Sequence, residues 1–275
     1  MPELPEVETI RKELLNAGFL NKRVIDFKCH WENILENGSE DKFRKYLLNN
    51  KLLNISRRAK YLIFEFENSK NLIVHLRMTG QFTKPKTQYE KKDHEHIHIK
   101  FNDNRWLVYK DTRKFGKFTL VENLEKHFKE IGPEPLEKGF TDLVFDKALG
   151  NTKGNIKSRL LNQKVIAGLG NIYVDEALFL AKILPIRLVC NVSKKERKLL
   201  RVSIQKVLQD GLDNMGTSLG TGETNYLSVS GRRGKNQQRL KVFRREKLEC
   251  FECQTIIKKE KIASRGTHFC PSCQS

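Results

Sequence analysis

The spacing of hydrophobic residues predicts a helix at the start of the chain. Apolar side chains recur there every three or four residues, and Gly18 follows the last of them; they are Val7, Ile10, Leu14 and Ala17. A glycine after the last apolar position commonly ends a helix. We therefore expect an amphipathic helix over residues 3 to 17, with Pro2 at its start.

The pattern then changes to short apolar runs with the period of a strand. Ile97, Ile99 and Phe101 alternate with polar residues, and several other runs are rich in β-branched and aromatic side chains. The predicted strands are residues 24–27, 61–66, 72–76, 96–101 and 106–109. Consecutive short strands of this kind favour a β-sandwich.

Helical spacing returns in the second half. A Gly-Pro-Glu-Pro stretch, residues 132–135, is typical of a linker between the halves. Further on, Ser193 and Glu196 have the spacing of a capping box and precede apolar residues at helical spacing. The second half is therefore predicted to be mainly α-helical.

Charge points to a polyanionic partner. The 275-residue chain has 52 Lys and Arg against 33 Asp and Glu, a formal net charge of +19. A Lys-rich soluble surface is the plain alternative. Part of the excess positive charge, however, is concentrated in one stretch of the chain that contains a single acidic residue, Glu246. The basic residues of this strip are Arg232, Arg233, Lys235, Arg239, Lys241, Arg244, Arg245 and Lys247. Such a strip favours phosphate, with nucleic acid the leading candidate.

The sequence contains no long apolar run and no signal peptide. Membrane insertion and secretion are therefore not expected, and the predicted location is cytoplasmic.

Four of the six cysteines predict a metal site. Cys250, Cys253, Cys270 and Cys273 have the spacing C-x2-C-x16-C-x2-C, which is typical of zinc bound by four thiolates. Disulfides are the competing interpretation, which a cytoplasmic chain disfavours. One structural Zn²⁺ is expected, because four thiolates leave no coordination position for water. Arg265, between the two pairs, either contacts phosphate or is a surface charge.

The N-terminus offers a nucleophile. If Met1 is removed, Pro2 presents a secondary amine with a pKa of about 8, so part of it is neutral at physiological pH. Such an amine can attack a sugar C1′, and the carboxylic acid of Glu3 can protonate the ring oxygen. The same residues are also ordinary for the start of a helix.

Asn171 follows a Gly-Leu-Gly stretch and is predicted to be an N-cap, with free N–H groups after it that favour phosphate. Lys153 and Lys157 are expected to add cations from a preceding helix, either toward a ligand or on a solvated face. The stretch resembles a helix–two-turn–helix DNA clamp, and a plain α-hairpin is the alternative.

Six motifs in order resemble the formamidopyrimidine-DNA glycosylase family along the whole chain. They are residues 2–8 (PELPEVE), 57–62 (RRAKYL), 75–80 (HLRMTG), 111–116 (DTRKFG), 168–173 (GLGNIY) and the cysteine set. The resemblance implies that Pro2 forms a Schiff base with C1′ and that Glu3 is the acid. It also implies that Lys60 is the proton donor in β-elimination and that Arg265 takes part in δ-elimination. Without the resemblance, Lys60 is a strand-edge charge.

The resemblance further implies DNA contacts. These fall on His94, Arg113, Lys153 and Asn171, while Met78, Arg113 and Phe115 match the residues that fill the gap left by an extruded base. Considered without the resemblance, Arg113 is interpreted as a loop charge, and Met78 and Phe115 are interpreted as core residues. His94, His96 and His98 alternate on one predicted strand face, and we do not interpret them as a metal cluster.

Two segments depart from the family pattern. Phe243-Arg244-Arg245 stands where an aromatic-Gly-Arg sequence is usual, and residues 217–238, the lesion-base loop of the family, contain extra residues and have no clear match. Base preference cannot be carried over from that loop.

The sequence thus predicts an α+β protein. We expect a sandwich with a flanking helix in residues 1–132, a helical domain in 133–240 and a zinc-finger hairpin in 241–275. The predicted protein is a monomer that removes oxidised purines from damaged double-stranded DNA and cleaves the strand. The alternatives are a sister glycosylase for oxidised pyrimidines and a zinc-containing DNA-binding protein without catalysis.

Overall fold

The computed structural model describes residues 1–220, 226–262 and 264–275. They form two compact units. The sheet unit comprises Met1–Lys129 with Asn214–Lys235, and the helical unit comprises Glu130–Asp213 with Asn236–Ser275.

The first helix, α1, spans Leu4–Asn16 and buries Val7, Ile10 and Leu14. Its apolar positions repeat every three or four residues, which places them on one face. Ala17 caps it, and Gly18 follows with a φ of 77°. The predicted helix is confirmed, but it begins after Pro2, with Glu3 at the N-cap and Pro5 in the first turn.

Two antiparallel four-stranded sheets make up most of the sheet unit as described. The first has the order β1-β6-β7-β5, and its strands are β1 (Val24–Cys29), β5 (Gly80–Phe82), β6 (Glu95–Phe101) and β7 (Trp106–Asp111). The second has the order β2-β3-β4-β8, and its strands are β2 (Leu52–Arg58), β3 (Tyr61–Phe66), β4 (Asn71–His75) and β8 (Lys117–Val121). Helices α2 (Glu40–Leu47) and α3 (Leu124–Phe128) complete the unit.

Aromatic side chains from both sheets meet in one core. The ring centroids of Phe64 on β3 and Phe82 on β5 are 5.5 Å apart, and those of Tyr109 on β7 and Phe118 on β8 are 4.9 Å apart. The predicted sandwich is confirmed because the inward faces of the two sheets interdigitate.

The helical unit contains α4 (Asp142–Leu149), α5 (Ile156–Leu161), α6 (Asn171–Leu180) and α7 (Lys194–Asp213). The predicted capping box precedes α7, because Glu196 Oε2 accepts the Ser193 N–H at 2.8 Å and Ser193 Oγ accepts the Glu196 N–H at 3.4 Å. Strands β9 (Lys258–Ile262) and β10 (Arg265–Phe269) form an antiparallel hairpin at the cysteine set.

The α+β fold class is confirmed, and the three-domain division stays a prediction. The cysteine hairpin groups with the helices, while residues 214–235 group with the sheets. Tyr226 and Val229 are part of the sandwich core, which explains this grouping. Residues 221–225 of the predicted lesion loop lie outside the described part of the chain. In that described part, no helix is long and apolar enough to cross a membrane.

Candidate functional site

The N-terminal residues are held in a buried position ahead of α1. Pro2 is buried, and Glu3 is 3% exposed. Glu6 Oε2 accepts the backbone N–H of Glu3 at 2.8 Å, and Glu6 Oε1 accepts the N–H of Thr217 at 2.7 Å. One carboxylate therefore joins the start of α1 to the segment 214–220.

Lys60 lies in the two-residue turn between β2 and β3, preceded by Ala59 with a φ of 52°. The turn is braced by Arg57 Nη1, which donates to the Ala59 carbonyl at 2.9 Å. Lys60 is only 6% exposed. The alternative interpretation of Lys60 as a charge at the edge of a strand, exposed to solvent, is therefore wrong.

His75 lies beside this lysine and is neutral. Its Nδ1 accepts the backbone N–H of Arg77 at 3.0 Å. Burial, followed by the charges of Arg77 and Lys60, lowers the pKa of His75 to about 3. An imidazole that accepts through Nδ1 cannot also carry a proton there.

Three exposed side chains that sequence resemblance grouped together are in contact. Arg113 Nη1 lies 3.0 Å from the sulfur of Met78, and the Arg113 guanidinium carbon lies 4.7 Å from the ring centroid of Phe115. Met78 and Phe115 are 42% and 48% exposed. The reading of these two as core residues is wrong, since both present apolar surface to solvent.

Asp111 shapes the loop that carries Arg113. It is fully buried, its Oδ1 accepts the N–H of Arg113 at 3.2 Å, and its Oδ2 accepts the N–H of Gly116 at 2.7 Å. The Thr79 hydroxyl also donates to Oδ1. A side chain at Gly116 would meet the Tyr109 hydroxyl at 1.8 Å, so this position requires glycine. The sequence motif contained Asp111, but its role was not predicted.

The three alternating histidines do not share a strand face. His94 is exposed and precedes β6, with a φ of 64°. His96 and His98 lie on β6 and are buried; His96 Nε2 is 2.8 Å from the Asp111 carbonyl, and His98 Nε2 is 3.1 Å from Glu95 Oε2. His94 lies before the strand in a left-handed conformation, and the pairing of β6 with β7 shifts register between Glu95 and Ile97, which the spacing could not reveal.

In the helical unit, the two predicted lysines have different environments, and neither matches a cation on a preceding helix face. Lys153 is exposed in the loop before α5. Lys157 is on α5 and is fully buried, and its Nζ lies 2.6 Å from Oδ1 of Asp175, which is also fully buried. Lys157 therefore forms an internal ion pair with Asp175, which lies on α6, and it is not a solvated charge.

Asn171 is the first residue of α6, and Gly170 is its N-cap. The prediction that Asn171 caps the helix is wrong. Its Nδ2 instead donates to the carbonyl of Gly266 at 2.8 Å, and its Oδ1 is buried without a hydrogen-bond partner in the described residues. This contact brings α6 next to Arg265, which is exposed at the start of β10.

Two carboxylates on α6 bind backbone N–H groups of the cysteine hairpin and of the segment that precedes it. Asp175 Oδ2 accepts the N–H of His268 at 2.9 Å. Glu176 accepts the N–H groups of Lys241, Val242 and Phe243 at 2.8, 2.9 and 2.8 Å. Burial raises the pKa of Glu176, although these three N–H groups oppose the rise. In the sequence these residues are two adjacent acids within a mostly apolar helix, a pattern that indicates buried carboxylates with partners elsewhere in the chain.

The cysteine set fits zinc. The sulfurs of Cys250, Cys253, Cys270 and Cys273 all lie within 4.8 Å of one another, and two of the separations are 3.9 and 3.4 Å. A zinc tetrahedron with Zn–S bonds of about 2.3 Å has sulfur separations of about 3.8 Å. The four thiolates hold one structural zinc, with no position open for substrate.

The basic strip is divided between the two units. Arg232 belongs to the sheet unit and pairs with Glu13 on α1 at 2.8 Å. Arg245 belongs to the helical unit, where its guanidinium carbon lies 3.4 Å from the ring centroid of Phe251. Arg232 and Arg245 thus have protein partners, and phosphate binding by the strip stays a prediction.

Three family models match the chain. They are described as the formamidopyrimidine-DNA glycosylase N-terminal domain, over residues 1–118, the formamidopyrimidine-DNA glycosylase H2TH domain, over 131–222, and a zinc finger found in FPG and IleRS, over 248–275.

Relatives match over the whole length. Formamidopyrimidine-DNA glycosylase of Protochlamydia amoebophila is 40% identical, with 100% of this chain and 99% of the relative covered. That of Lactococcus lactis is 39% identical with the same coverage.

Solved structures match equally well. A crystal structure of a Lactococcus lactis FPG mutant with a Fapy-dG containing DNA is 38% identical and has a TM-score of 0.91, with both chains fully covered. A Lactococcus lactis structure with an oxidized pyrimidine containing DNA is 37% identical, with a TM-score of 0.90 and the same coverage. Sequence, fold and zinc finger agree, and the chain therefore belongs to the formamidopyrimidine-DNA glycosylase family, the DNA glycosylases of base-excision repair.

Proposed function

We propose that this protein removes oxidised purines, notably 8-oxoguanine and formamidopyrimidines, from duplex DNA and then cleaves the strand at the resulting abasic site. The observation that carries the proposal is the N-terminus. Pro2 lies outside α1, Glu3 is its neighbour, and both are buried within a chain of this family. A secondary amine beside a carboxyl group supplies a nucleophile and an acid for one sugar.

The chemistry follows from those two groups. After Met1 is removed, the Pro2 nitrogen attacks C1′, and the base leaves with the electron pair of the glycosidic bond. Glu3 protonates the ring oxygen as the sugar opens to an iminium. Loss of a C2′ proton then expels the 3′ phosphate, and a second elimination expels the 5′ phosphate. Lys60 and Arg265 are proposed to assist these two eliminations.

Extrusion of the base requires other residues. Met78 and Phe115 are proposed to occupy the gap in the stack, while Arg113 donates to the orphaned cytosine. Their mutual contact and exposure support this role. His94, Lys153 and Asn171 are proposed to contact the DNA backbone, where cations and amides position the duplex.

Borohydride trapping tests the nucleophile. Protein with a verified Pro2 N-terminus should become covalently attached to DNA that contains 8-oxoguanine. Retention of Met1, or Pro2→Gly, should abolish most of the trapping and leave binding to lesion DNA largely intact. Pro85→Gly is a control for the loss of a proline elsewhere in the same unit. Undiminished trapping with Met1 in place would exclude Pro2.

Glu3→Gln separates base release from strand cleavage. Without the acid, base release should stop, while a preformed abasic site should still be cleaved to some degree. Full base release by this variant would exclude Glu3 as the acid. A zinc-containing DNA-binding protein without catalysis would give no trapped species with any lesion.

The lesion panel should include oxidised pyrimidines as well as oxidised purines, each opposite all four bases. A Lactococcus lactis relative has been crystallised with an oxidized pyrimidine containing DNA. Faster trapping on the pyrimidines would replace the proposed substrate class but would leave the Pro2 chemistry intact.

A further inference from the structure

The cysteine end of the zinc finger carries a group of large apolar side chains that face solvent. Leu248, Phe251 and Ile256 are 54%, 65% and 50% exposed, and all three line one open groove of about 610 Å³. We call these three residues the knuckle patch. Single exposed apolar residues are common on protein surfaces, whereas a group of them with polar residues around it marks an interaction site.

Backbone hydrogen bonds hold the knuckle patch in a fixed shape. The Cys250 N–H donates to the Thr255 carbonyl, and the Gln254 N–H donates to the Cys250 carbonyl, both at 2.9 Å. The Ile257 N–H donates to the Leu248 carbonyl at 2.9 Å. Cys250, at the base of these turns, is buried and is one of the four zinc ligands. A surface that is already ordered loses little conformational entropy when it binds a partner.

Arg245 is also fixed in place beside the knuckle patch. Its Nη1 donates to the Lys241 carbonyl at 2.6 Å, and its Nη2 donates to the Glu249 carbonyl at 2.8 Å. Its guanidinium carbon lies 3.4 Å from the ring centroid of Phe251, and the Lys241 Nζ lies 5.2 Å from the same centroid. Arginine and large aromatic residues are the types that most often dominate the binding energy of protein interfaces.

The surroundings of the knuckle patch are mainly cationic. Arg245 and Lys247 line the groove together with one acid, Glu249, and Lys241 approaches the ring of Phe251. The whole chain has a net charge of +19. A second copy of the chain would therefore bring like charges together, which costs free energy. An acidic partner would instead bring carboxylates to these cations.

The knuckle patch lies at the opposite end of the hairpin from Arg265. Arg265 is the first residue of β10, whereas the two cysteine pairs lie before β9 and after β10. Each of these strands has five residues, and a strand of that length spans about 16 Å. The length of the hairpin therefore separates the knuckle patch from the residue that is proposed to act on DNA.

The chemistry of the knuckle patch favours protein over nucleic acid. Leu248 and Ile256 can neither donate a hydrogen bond to a phosphate nor stack on a base, and these are the contacts that hold nucleic acid backbones and single strands. The ring of Phe251 already carries a stacked guanidinium. Apolar side chains of a protein segment can cover all three residues.

We propose that the knuckle patch is the docking site for an acidic segment of a partner protein, in which a large apolar side chain is flanked by carboxylates. The apolar side chain packs in the groove against the knuckle patch, and the carboxylates pair with Arg245 and Lys247. The inference does not rest on the proposed function, because none of these residues takes part in base release or strand cleavage.

Binding of a synthetic peptide tests the chemistry of the partner. A fluorescently labelled Asp-rich peptide with Phe and Leu at its centre should bind saturably to the zinc-loaded, full-length protein, as measured by fluorescence anisotropy. The same peptide with Ser in place of Phe and Leu should bind about tenfold more weakly, because it cannot fill the groove. Equal binding of the two peptides would indicate diffuse attraction to a basic protein and would overturn the proposal, as would no saturable binding.

Phe251→Ser locates the site on the protein. This variant should bind the Phe-Leu peptide about tenfold more weakly and should keep its zinc and its affinity for lesion DNA. Leu143→Ser is the matched control, because Leu143 is an exposed leucine on α4 in the same unit, at 79% exposure. It should leave peptide binding unchanged. If Phe251→Ser loses zinc, Ile256→Ser takes its place in the same comparison.

Lys247→Glu tests the charge, and Lys195→Glu, at an exposed position of α7, changes the net charge by the same amount. Only Lys247→Glu should weaken peptide binding severalfold, since a charge that contacts the partner acts more strongly than a distant one. Equal effects of the two charge variants would overturn the proposal, and so would unchanged peptide binding by a zinc-loaded knuckle-patch variant. A parallel loss of affinity for lesion DNA in that variant would assign the surface to DNA instead.

Discussion

At the scale of single residues, buried polar side chains decide how the exposed ones are presented. Asp111 is fully buried, yet its hydrogen bonds to the backbone of Arg113 and Gly116 fix a loop whose side chains face solvent. Backbone N–H groups held by a buried carboxylate are costly to leave unpaired. The contact between Arg113 and Phe115 therefore depends on a residue that itself contacts no solvent.

His75 leads to a prediction about pH. Its pKa is about 3 in the folded protein, against about 6.5 in an unfolded chain. Between these values the unfolded chain binds a proton that the folded protein does not. The free energy of unfolding should therefore fall as pH drops from 6.5 toward 3, with a contribution of up to about 1.4 kcal/mol per pH unit.

His75→Asn checks this contribution, since the Asn Oδ1 can accept the Arg77 N–H without titrating. Urea unfolding at several pH values between 4 and 7 should give a shallower dependence on pH for the variant than for the wild type. Identical slopes would show that His75 does not remain neutral in the folded protein.

At the scale of elements, the cysteine hairpin is held to α5 and α6 by a buried ion pair and its hydrogen bonds. Asp175 accepts from Lys157 through one oxygen and from the His268 backbone through the other. Removing one member of a buried pair leaves the other charge uncompensated. We expect Asp175→Ala to lower the free energy of unfolding by about 3–5 kcal/mol.

The matched control removes both charges and keeps the backbone contact. Lys157→Met combined with Asp175→Asn should recover most of the loss, because the Asn Oδ1 can still accept the His268 N–H. Denaturant unfolding of the two variants measures the difference. A double variant as unstable as Asp175→Ala would show that packing, rather than the unpaired charge, is responsible.

Zinc removal is the second prediction at this scale. The hairpin shares a small core with α6, formed by Phe179, Val242, Cys250, Ile257 and Cys270. Such a small core cannot replace a metal that organises four cysteines. Chelation, or Cys253→Ser, should abolish binding to lesion DNA before the rest of the protein unfolds.

Metal content, fluorescence-detected DNA binding and circular dichroism, followed in one titration with chelator, test this order of events. Active protein without zinc, or loss of all secondary structure together with the metal, would contradict it.

At the scale of the whole molecule, the question is how a net charge of +19 is used. If diffuse attraction alone bound DNA, every exposed cation would contribute to the affinity in the same way. In the proposed site, by contrast, some cations contact phosphates and Arg113 contacts a base. Lys153 is exposed in a loop, and Arg113 stacks on Phe115. Lys153→Ala should weaken binding to all duplexes alike and reduce the salt slope by about one unit.

Arg113→Ala should instead blunt discrimination by the opposite base. The loss should be greatest opposite cytosine, at about 1–3 kcal/mol, if the guanidinium donates to the orphaned base. Binding of both variants to an abasic-site analogue opposite each of the four bases, over a salt series, measures both effects. The two assignments would be reversed if Arg113→Ala weakened binding equally opposite all four bases while Lys153→Ala changed the order of affinity among the opposite bases.

The sequence predicted the features that depend on neighbouring residues. Periodicity identified α1 and several strands of the sandwich, because the side chains that face the core recur at the period of the element. The cysteine spacing predicted the zinc site, because ligands on two short turns need few residues between them. The order of the motifs identified the family.

The tertiary structure alone decided which polar residues are buried and what they contact. Lys157 was expected to be a cation on a helix, and it forms an internal ion pair with Asp175. Asn171 was expected to cap α6, and its side chain instead donates a hydrogen bond to the carbonyl of Gly266. Such partners lie far along the chain: Glu13 and Ser230 are separated by 217 positions. Local periodicity carries no information about contacts at that separation, because they form only when the elements pack.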